Sequence, residues 1–244
     1  MSMKATNWEF RNRATVFGLL LGLTFPLYAI DHQNSAAALS NFVAPRLHAD
    51  PNLIVRVVFA MAAVLLCLAA FLRTWASAYL NADVVYASAV KSEKLVADGP
   101  YRRVRNPLYF ANVLMAIAMG SLMSRLGLVV AVIAMFTFCY RLILREELEL
   151  QQNQGERYWE YMSAVPRLWP SLRSRIPSAG RHPQWWDGFK AESWYWGFAV
   201  SLMAFTVTLE LKFFFVILTA SLLLFWVSSI MLRKPRASSA SNNQ

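Results

Sequence analysis

Charge is what this sequence has least of. Asp, Glu, Lys and Arg make up 16% of its 244 residues, where an average soluble domain carries roughly a quarter, so water is not its main solvent. Cysteine is nearly absent. Cys67 and Cys139 have no paired spacing, which excludes a disulfide framework or a paired-cysteine zinc site, and they read as buried structural thiols. The three histidines, His32, His48 and His182, are scattered, so no histidine metal cluster, and no metal, is expected. Acidic residues are outnumbered, 14 against 24 basic ones, for a formal charge of +10. In a soluble protein that excess raises the question of nucleic acid. Here its distribution has another explanation, and no nucleic-acid partner is expected.

What is present is apolar: 57% of the residues are hydrophobic and the mean hydropathy is +0.36. They fall in long blocks, Ala14–Ile30, Leu53–Leu72, Leu108–Met123, Leu126–Leu144, Trp194–Leu209 and Phe213–Leu232. About 20 such residues cross roughly 30 Å of hydrocarbon as helix. A lipid-facing segment must satisfy its own backbone, so blocks this long and unalternating predict helices rather than barrel strands. The expectation is an all-α, polytopic transmembrane bundle of about six spans. Two pairs of blocks are separated only by Ser124-Arg125 and by Glu210-Leu211-Lys212, which predicts two tight helical hairpins.

Basic residues crowd the N-terminus, the stretch from Asn81 to Asn106, the stretch from Arg145 to Ser193, and the end of the chain, whereas the opposite loops hold Arg46, Arg125 and Lys212. That asymmetry sets orientation and predicts both termini on the cytoplasmic side. A basic start before an apolar run can mimic a signal peptide. The run is long, Pro26 interrupts it, and no small-x-small site follows before Asp31, so it reads as a span. Arg56 and Arg73 stand at span ends and read as snorkelling side chains. The cluster Trp185, Trp186, Trp194, Tyr195 and Trp196 reads as an interfacial anchor, and Tyr158 and Tyr161 as packing on a cytoplasmic cap.

Polar reacting groups must stay out of lipid, so the informative stretches are the two charged ones bracketing the middle hairpin. The run from Pro107 to Arg145 amounts to roughly 55 Å of helix at 1.5 Å per residue, an out-and-back excursion returning to the same face. Asn106-Pro107 reads as a helix start, with asparagine as cap and proline in the first turn. The free amides and positive dipole end of that turn suit a carboxylate. Asp98-Gly99-Pro100 reads as a turn that folds Leu95-Val96 over this helix end. Glu146 and Glu147 follow directly on an apolar span, where a carboxylate needs a partner or water. Together these make a small site of both charge signs, which an amino-acid zwitterion requires.

Leu95-Val96-x-x-Gly99-Pro100-Tyr101-x-x-x-Arg105-Asn106-Pro107-x-Tyr109, followed by Glu146-Glu147, Gly155-x-x-Tyr158-x-x-Tyr161 and Val165-Pro166-Arg167, resembles the isoprenylcysteine carboxyl methyltransferase and phospholipid methyltransferase superfamily. The resemblance covers roughly Tyr86 to Pro170. It implies an integral membrane, S-adenosylmethionine-dependent methyltransferase acting on a lipophilic acceptor, an isoprenylcysteine-like carboxylate or a lipid head group, and releasing S-adenosylhomocysteine. Cofactor contacts are implied at Glu93, Lys94, Leu95, Val96, Tyr101, Asn106, Pro107, Leu108, Tyr109, Glu146 and Glu147, with Tyr86 a looser candidate. The superfamily often has histidine where Glu93 and Asn106 stand. The substrate-contacting arginine of its prenylcysteine branch falls on Leu142, leaving Arg141 and Arg145 as the residues to position the acceptor.

Together with the apolar blocks and the Ser- and Asn-rich tail, the resemblance divides the chain into N-terminal transmembrane helices (1–80), a methyltransferase core with cofactor loop, helical hairpin and cytoplasmic cap (81–176), a cytoplasmic linker (177–193), a C-terminal transmembrane hairpin (194–232) and a disordered tail (233–244). It implies membrane lipids as partners, an acceptor entering laterally between helices, and a bacterial inner membrane with the active site cytoplasmic. The alternatives are a membrane sterol-type reductase using NADPH, whose C-terminal region carries a similar Arg-x-Pro-x-Tyr segment, and a non-enzymatic membrane scaffold.

Overall fold

The computed structural model describes residues 3–80 and 97–231, with side chains to 228. Among these residues the protein is all helical, and a single antiparallel bridge joins Asn34 to Ser124. The helices are α1 (Asn7–Arg11), α2 (Arg13–Gly22), α3 (Ser35–Leu47), α4 (Pro51–Tyr79), α5 (Pro107–Gly120), α6 (Arg125–Gln154), α7 (Glu156–Ala164), α8 (Trp185–Thr208) and α9 (Leu211–Met231), with 3-10 turns at Phe25–Ala29 and Gly99–Arg102.

Local chemistry places the helix ends. Asp50 caps α4 by accepting from the Asn52 amide, with Pro51 in the first turn, and Ser124 caps α6 by accepting from the Gly127 amide; both spare an end-of-helix donor that has no partner within the helix. The 30 residues of α6 rise about 45 Å, so this helix runs well past the apolar block that ends at Leu144 and carries Glu146 and Glu147 out on an unbroken backbone. It stops at Gly155, whose φ of +56° favours glycine.

Among the described residues, three helices are long and apolar enough to cross a membrane: Pro51–Tyr79, Arg125–Gln154 and Leu211–Ser228. The other expected spans come out differently. The first block splits into α2 and the 3-10 turn around Pro26, because proline supplies no amide to continue the ladder. At 14 residues, α5 rises only about 21 Å. The block beginning at Trp194 is part of a longer helix whose first turns hold Asp187, Lys190 and Glu192. The helix α3 was not anticipated, since its Ala-, Ser- and Asn-rich sequence lacks an apolar block. Both expected hairpins form, α5 with α6 and α8 with α9.

At the centre, α4 packs on α3, α5 and α8. It presents a buried surface of small side chains, Ala62, Ala63, Ala69, Ala70, Ala76 and Ala78, and small residues let backbones approach where lipid provides no hydrophobic drive. Gly188 of α8 lies so close that a Cβ there would stand 2.6 Å from the Thr74 carbonyl oxygen. α8 runs antiparallel along α4: the Gln184 amide donates to the Ala78 carbonyl at one end (2.7 Å), and Arg56 donates to the Val207 carbonyl at the other (2.9 Å). The exposed Arg56 thus caps the C-terminal carbonyls of α8.

The α5–α6 tip is tied to α3. Asn34 donates to the Ser121 carbonyl while its own oxygen caps α3. The Ser35 hydroxyl donates to the Gly120 carbonyl (2.7 Å), and Arg125 pairs with Asp31 (2.8 Å).

Candidate functional site

The site begins at the turn between α4 and α5. Gly99 has φ +59°, and a Cβ there would fall within 2.3 Å of the Tyr79 ring, so this corner closes only on glycine. Asp98, 2% exposed, does not cap the turn. Its carboxylate accepts from the Ser178 hydroxyl (2.6 Å) and from the Ala179 and Arg181 amides. Burial pushes its pKa up, but these donors, led by Ser178, outweigh burial and hold it below the usual carboxylate value. The chain after α7 is pinned along the same turn: the Arg105 amide donates to the Pro166 carbonyl, the Ser171 amide to Arg103, and the Arg175 amide to Arg102.

Asn106 occupies the cap position of α5, but its side chain makes no capping bond. It donates instead to Glu147 Oε1 (3.1 Å) and to the Arg167 carbonyl (3.0 Å). The expected cap is thereby corrected, for a physical reason. Glu147 is 3% exposed, and a carboxylate buried that deeply must collect donors. It also accepts from Arg167 Nε (2.9 Å), and Arg105 Nη1 lies 3.4 Å away. Glu147 is thus the centre of a clasp joining α5, α6 and the segment after α7.

Its neighbour Glu146 faces the other way. The Tyr109 hydroxyl, in the first turn of α5, donates to Glu146 Oε1 at 2.7 Å. The hairpin therefore brings the start of α5 and the far part of α6 to one end of the bundle, as the out-and-back length predicts. Beside them Tyr101 is 8% exposed, and among the described residues neither its hydroxyl nor Nε of Arg105 has a hydrogen-bond partner. Burial drives the Tyr101 phenol well above its ordinary pKa, so it remains a neutral donor. Buried donors without acceptors are costly, and a polar ligand would satisfy them. Tyr161 braces the wall by donating to the Tyr101 carbonyl (2.8 Å). Tyr158 packs beside it, and burial raises both phenols.

Of the sequence-expected contacts, the structure thus brings together Tyr101, Asn106, Pro107, Leu108, Tyr109, Glu146 and Glu147. Glu93, Lys94, Leu95, Val96 and the looser candidate Tyr86 lie outside the described residues. Arg141 and Arg145 turn toward the N-terminus. Arg141 makes a two-oxygen ion pair with Glu9 (2.8 and 2.9 Å). Arg145 pairs with Glu149 (2.9 Å), its guanidinium 4.7 Å above the buried Phe10 ring.

One cluster escaped the sequence reading. Arg73, read as snorkelling, is instead 7% exposed and bound to Glu192 through two bonds, 2.5 and 3.0 Å. Ser77 also donates to Glu192 (2.7 Å), and Arg73 Nη1 reaches Asn112 Oδ1 (2.8 Å) and the Leu108 carbonyl (3.5 Å). The Tyr195 hydroxyl bonds to the same Asn112 oxygen, so Tyr195 is a buried structural residue and not an interfacial anchor. Trp185 and Trp186 do remain exposed. The available signal was a lone carboxylate two residues before an apolar block, matched by a lone arginine just after another.

Comparison with known proteins bears on this end of the bundle. The phospholipid methyltransferase family model matches residues 57–157, which include most of α4, the Tyr101–Tyr109 stretch, α5 and α6, and exclude Arg167 and α8. A nickel-cobalt-cadmium resistance protein of Alcaligenes xylosoxydans xylosoxydans and a cobalt-zinc-cadmium resistance protein of Cupriavidus metallidurans are each 28% identical to this chain over 88 residues, 36% of its length and 41% of theirs. The chain thus spans about two-fifths of the length of the curated relatives it matches. No solved structure matches it significantly. The resemblance carried by the motifs is matched independently, and residues 57–157 carry the pattern of the phospholipid methyltransferase family.

Proposed function

We propose that this protein is an integral membrane methyltransferase that uses S-adenosylmethionine to methylate a lipophilic acceptor, an isoprenylcysteine-like carboxylate or a lipid head group. The observation that carries the reading is the Tyr109–Glu146 bond at 2.7 Å, inside the family-matched segment and beside the Tyr101 hydroxyl, which has no partner among the described residues. A carboxylate, two phenols and the amide-rich first turn of a helix fit the amino-acid end and the hydroxyls of such a cofactor. Glu146 would hold its ammonium or a ribose hydroxyl, the start of α5 its carboxylate, and Tyr101 and Tyr109 would line the nucleoside pocket.

When bound, S-adenosylmethionine supplies an electrophilic methyl on a sulfonium. The residues of this chain contribute position: orienting donor and acceptor removes on the order of 7–11 kcal/mol of barrier in the best intramolecular cases. The Glu147 clasp holds α5 and α6 in the register this demands. With the three long apolar helices crossing the membrane and α2, α5 and α8 completing six membrane-embedded segments, this end would face the cytoplasm under the rule that basic residues face inward. The acceptor then comes laterally from lipid. An acidic acceptor group would compete with Glu9 for Arg141, with Arg145 beside it.

The test uses the full chain in nanodiscs. S-adenosylhomocysteine raises the unfolding midpoint, NADPH does not, and labelled methyl from S-adenosylmethionine enters a fraction of added total lipid. Stabilisation by NADPH with none by S-adenosylhomocysteine would transfer the protein to the sterol-reductase class. Indifference to both would leave a scaffold.

A further inference from the structure

We infer that Glu192, on a helix outside the family-matched segment, is a positioning residue for the donor site and acts through Arg73. This rests on the methyltransferase reading above. Arg73 lies six residues before the end of α4 and Asn112 five residues after the start of α5, each roughly 8–9 Å along its helix from the site end. The cluster therefore sits about one turn deeper in the bundle than Tyr109. From there Arg73 holds two points of α5, the Leu108 carbonyl and the Asn112 side-chain oxygen. Leu108 is the residue before Tyr109, so the guanidinium is fastened to the turn that presents the Tyr109 hydroxyl to Glu146.

Glu192 decides where that guanidinium points. It is fully buried, engages both Nε and Nη2 of Arg73, and accepts from Ser77. A two-point carboxylate grip fixes the plane of a guanidinium as well as its position, which leaves Nη1 directed at α5. The Tyr195 hydroxyl, three residues on along α8, bonds to Asn112 from the same side. Ionisable groups this deep in a membrane helix bundle are costly and usually serve function. Here the arrangement involves the C-terminal pair of helices in the site, because α8 carries the counter-charge that sets the first turn of α5.

A purely structural ion pair would affect stability alone, whereas a positioning pair also affects donor affinity. The experiment measures S-adenosylhomocysteine affinity and unfolding midpoint in nanodiscs for the wild type, Glu192→Gln, Glu192→Asp and the exchanged pair Arg73→Glu with Glu192→Arg. Measurements are made well below every midpoint. Glu192→Gln is expected to weaken S-adenosylhomocysteine at least tenfold. Glu192→Asp keeps the charge with a shorter reach, gives an intermediate loss, and serves as the decisive variant if Glu192→Gln does not fold. The exchanged pair restores the charge pairing but cannot donate to Leu108 and Asn112 from α4, so its midpoint recovers more than its affinity. Affinities of Glu192→Gln or Glu192→Asp within twofold of the wild type would overturn the inference while leaving the enzyme reading intact. A wild type that does not bind S-adenosylhomocysteine would remove the reading beneath it.

Discussion

The two helical hairpins are built on opposite principles. The α5–α6 pair is tied by hydrogen bonds at both ends: Asn34, Ser35 and Arg125 hold its tip, while the Glu147 clasp and the Tyr109–Glu146 bond hold its open end. The α8–α9 pair turns on Leu209, a non-glycine residue at φ +57°, and its tip carries the exposed Lys212–Glu210 ion pair and the bond from the exposed Arg56 to the Val207 carbonyl. Of the apolar window of α9, 6% is buried. What locates this second hairpin is α8, which packs closely on α4 at Gly188, shares the buried pair Arg73–Glu192 with it and is bonded to it at Gln184–Ala78 and Val207–Arg56. A hairpin bonded at both ends cannot slide in register, and that rigidity is what a two-sided site needs. A hairpin held through its first helix leaves most of its second to adapt to lipid.

The largest effect expected of this contrast comes from Glu147→Ala. It leaves Arg105, 8% exposed, without its carboxylate, and removing one partner of a buried charged cluster costs about 3–5 kcal/mol. Unfolding of the purified protein by denaturant in a fixed detergent should show it as a lower midpoint. If Glu147→Ala unfolds no more readily than the wild type, the first hairpin is not held by its open end and the contrast breaks. Next comes Gly188→Ala, whose methyl group would meet the Thr74 carbonyl oxygen at 2.6 Å and the Ala78 amide nitrogen at 2.7 Å. Backbone cannot yield as a side chain can, so overpacking of about 1–3 kcal/mol follows. Gly18→Ala on α2 is the control: no heavy atom lies within 4 Å of its added Cβ, and helix propensity alone favours the change by roughly 1 kcal/mol.

What the sequence made legible follows the same division. The all-helical class, both hairpins and the return of Glu146 to the end of the bundle where α5 starts came from apolar block length and motif spacing, which report local periodicity and chain reach. The first block misled because hydropathy does not register that Pro26 ends a helical ladder. Helix α3 was hidden because its contacts, Ser35 to Gly120 and Asn34 to Ser121, are made across the bundle. A local rule assigns Asn106 to its own helix end, and a buried carboxylate 41 positions later outcompetes that role. Glu192 falls in the linker when a span is drawn from Trp194. Its partner is 119 residues away, a separation over which one sequence carries no pairing signal.

A mid-sized effect tests the strap after α7. Asp98 has its pKa lowered by the donors it collects. Its contribution is therefore present above the ordinary carboxyl value of about 4 and is lost as pH falls through the lowered folded value. Asp98→Asn should cost about 1–3 kcal/mol at neutral pH and flatten the acid limb of the stability curve. A variant that keeps the wild-type acid limb would show that another carboxylate sets it.

The smallest effect belongs to Arg125→Ala, although its ion pair with Asp31 has the most regular geometry at the hairpin tip: Nε and Nη2 both reach Asp31 Oδ1, at 3.2 and 2.8 Å. The Arg125 guanidinium, first among its partners, holds the Asp31 carboxyl at about 2. Yet Arg125 is 59% exposed, and water and salt screen a pair of that kind. The Leu126 amide also keeps hold of Asp31, while Asn34 and Ser35 hold the tip by bonds that do not involve charge. The change in midpoint should accordingly be slight at low salt, absent at 1 M salt, and constant with pH down to the ordinary carboxyl value of about 4, fading below it as the pH falls toward the folded value of about 2. A loss that survives high salt would mean that the tip is held by its exposed charges, and the first hairpin would then resemble the second more closely than its hydrogen bonds indicate.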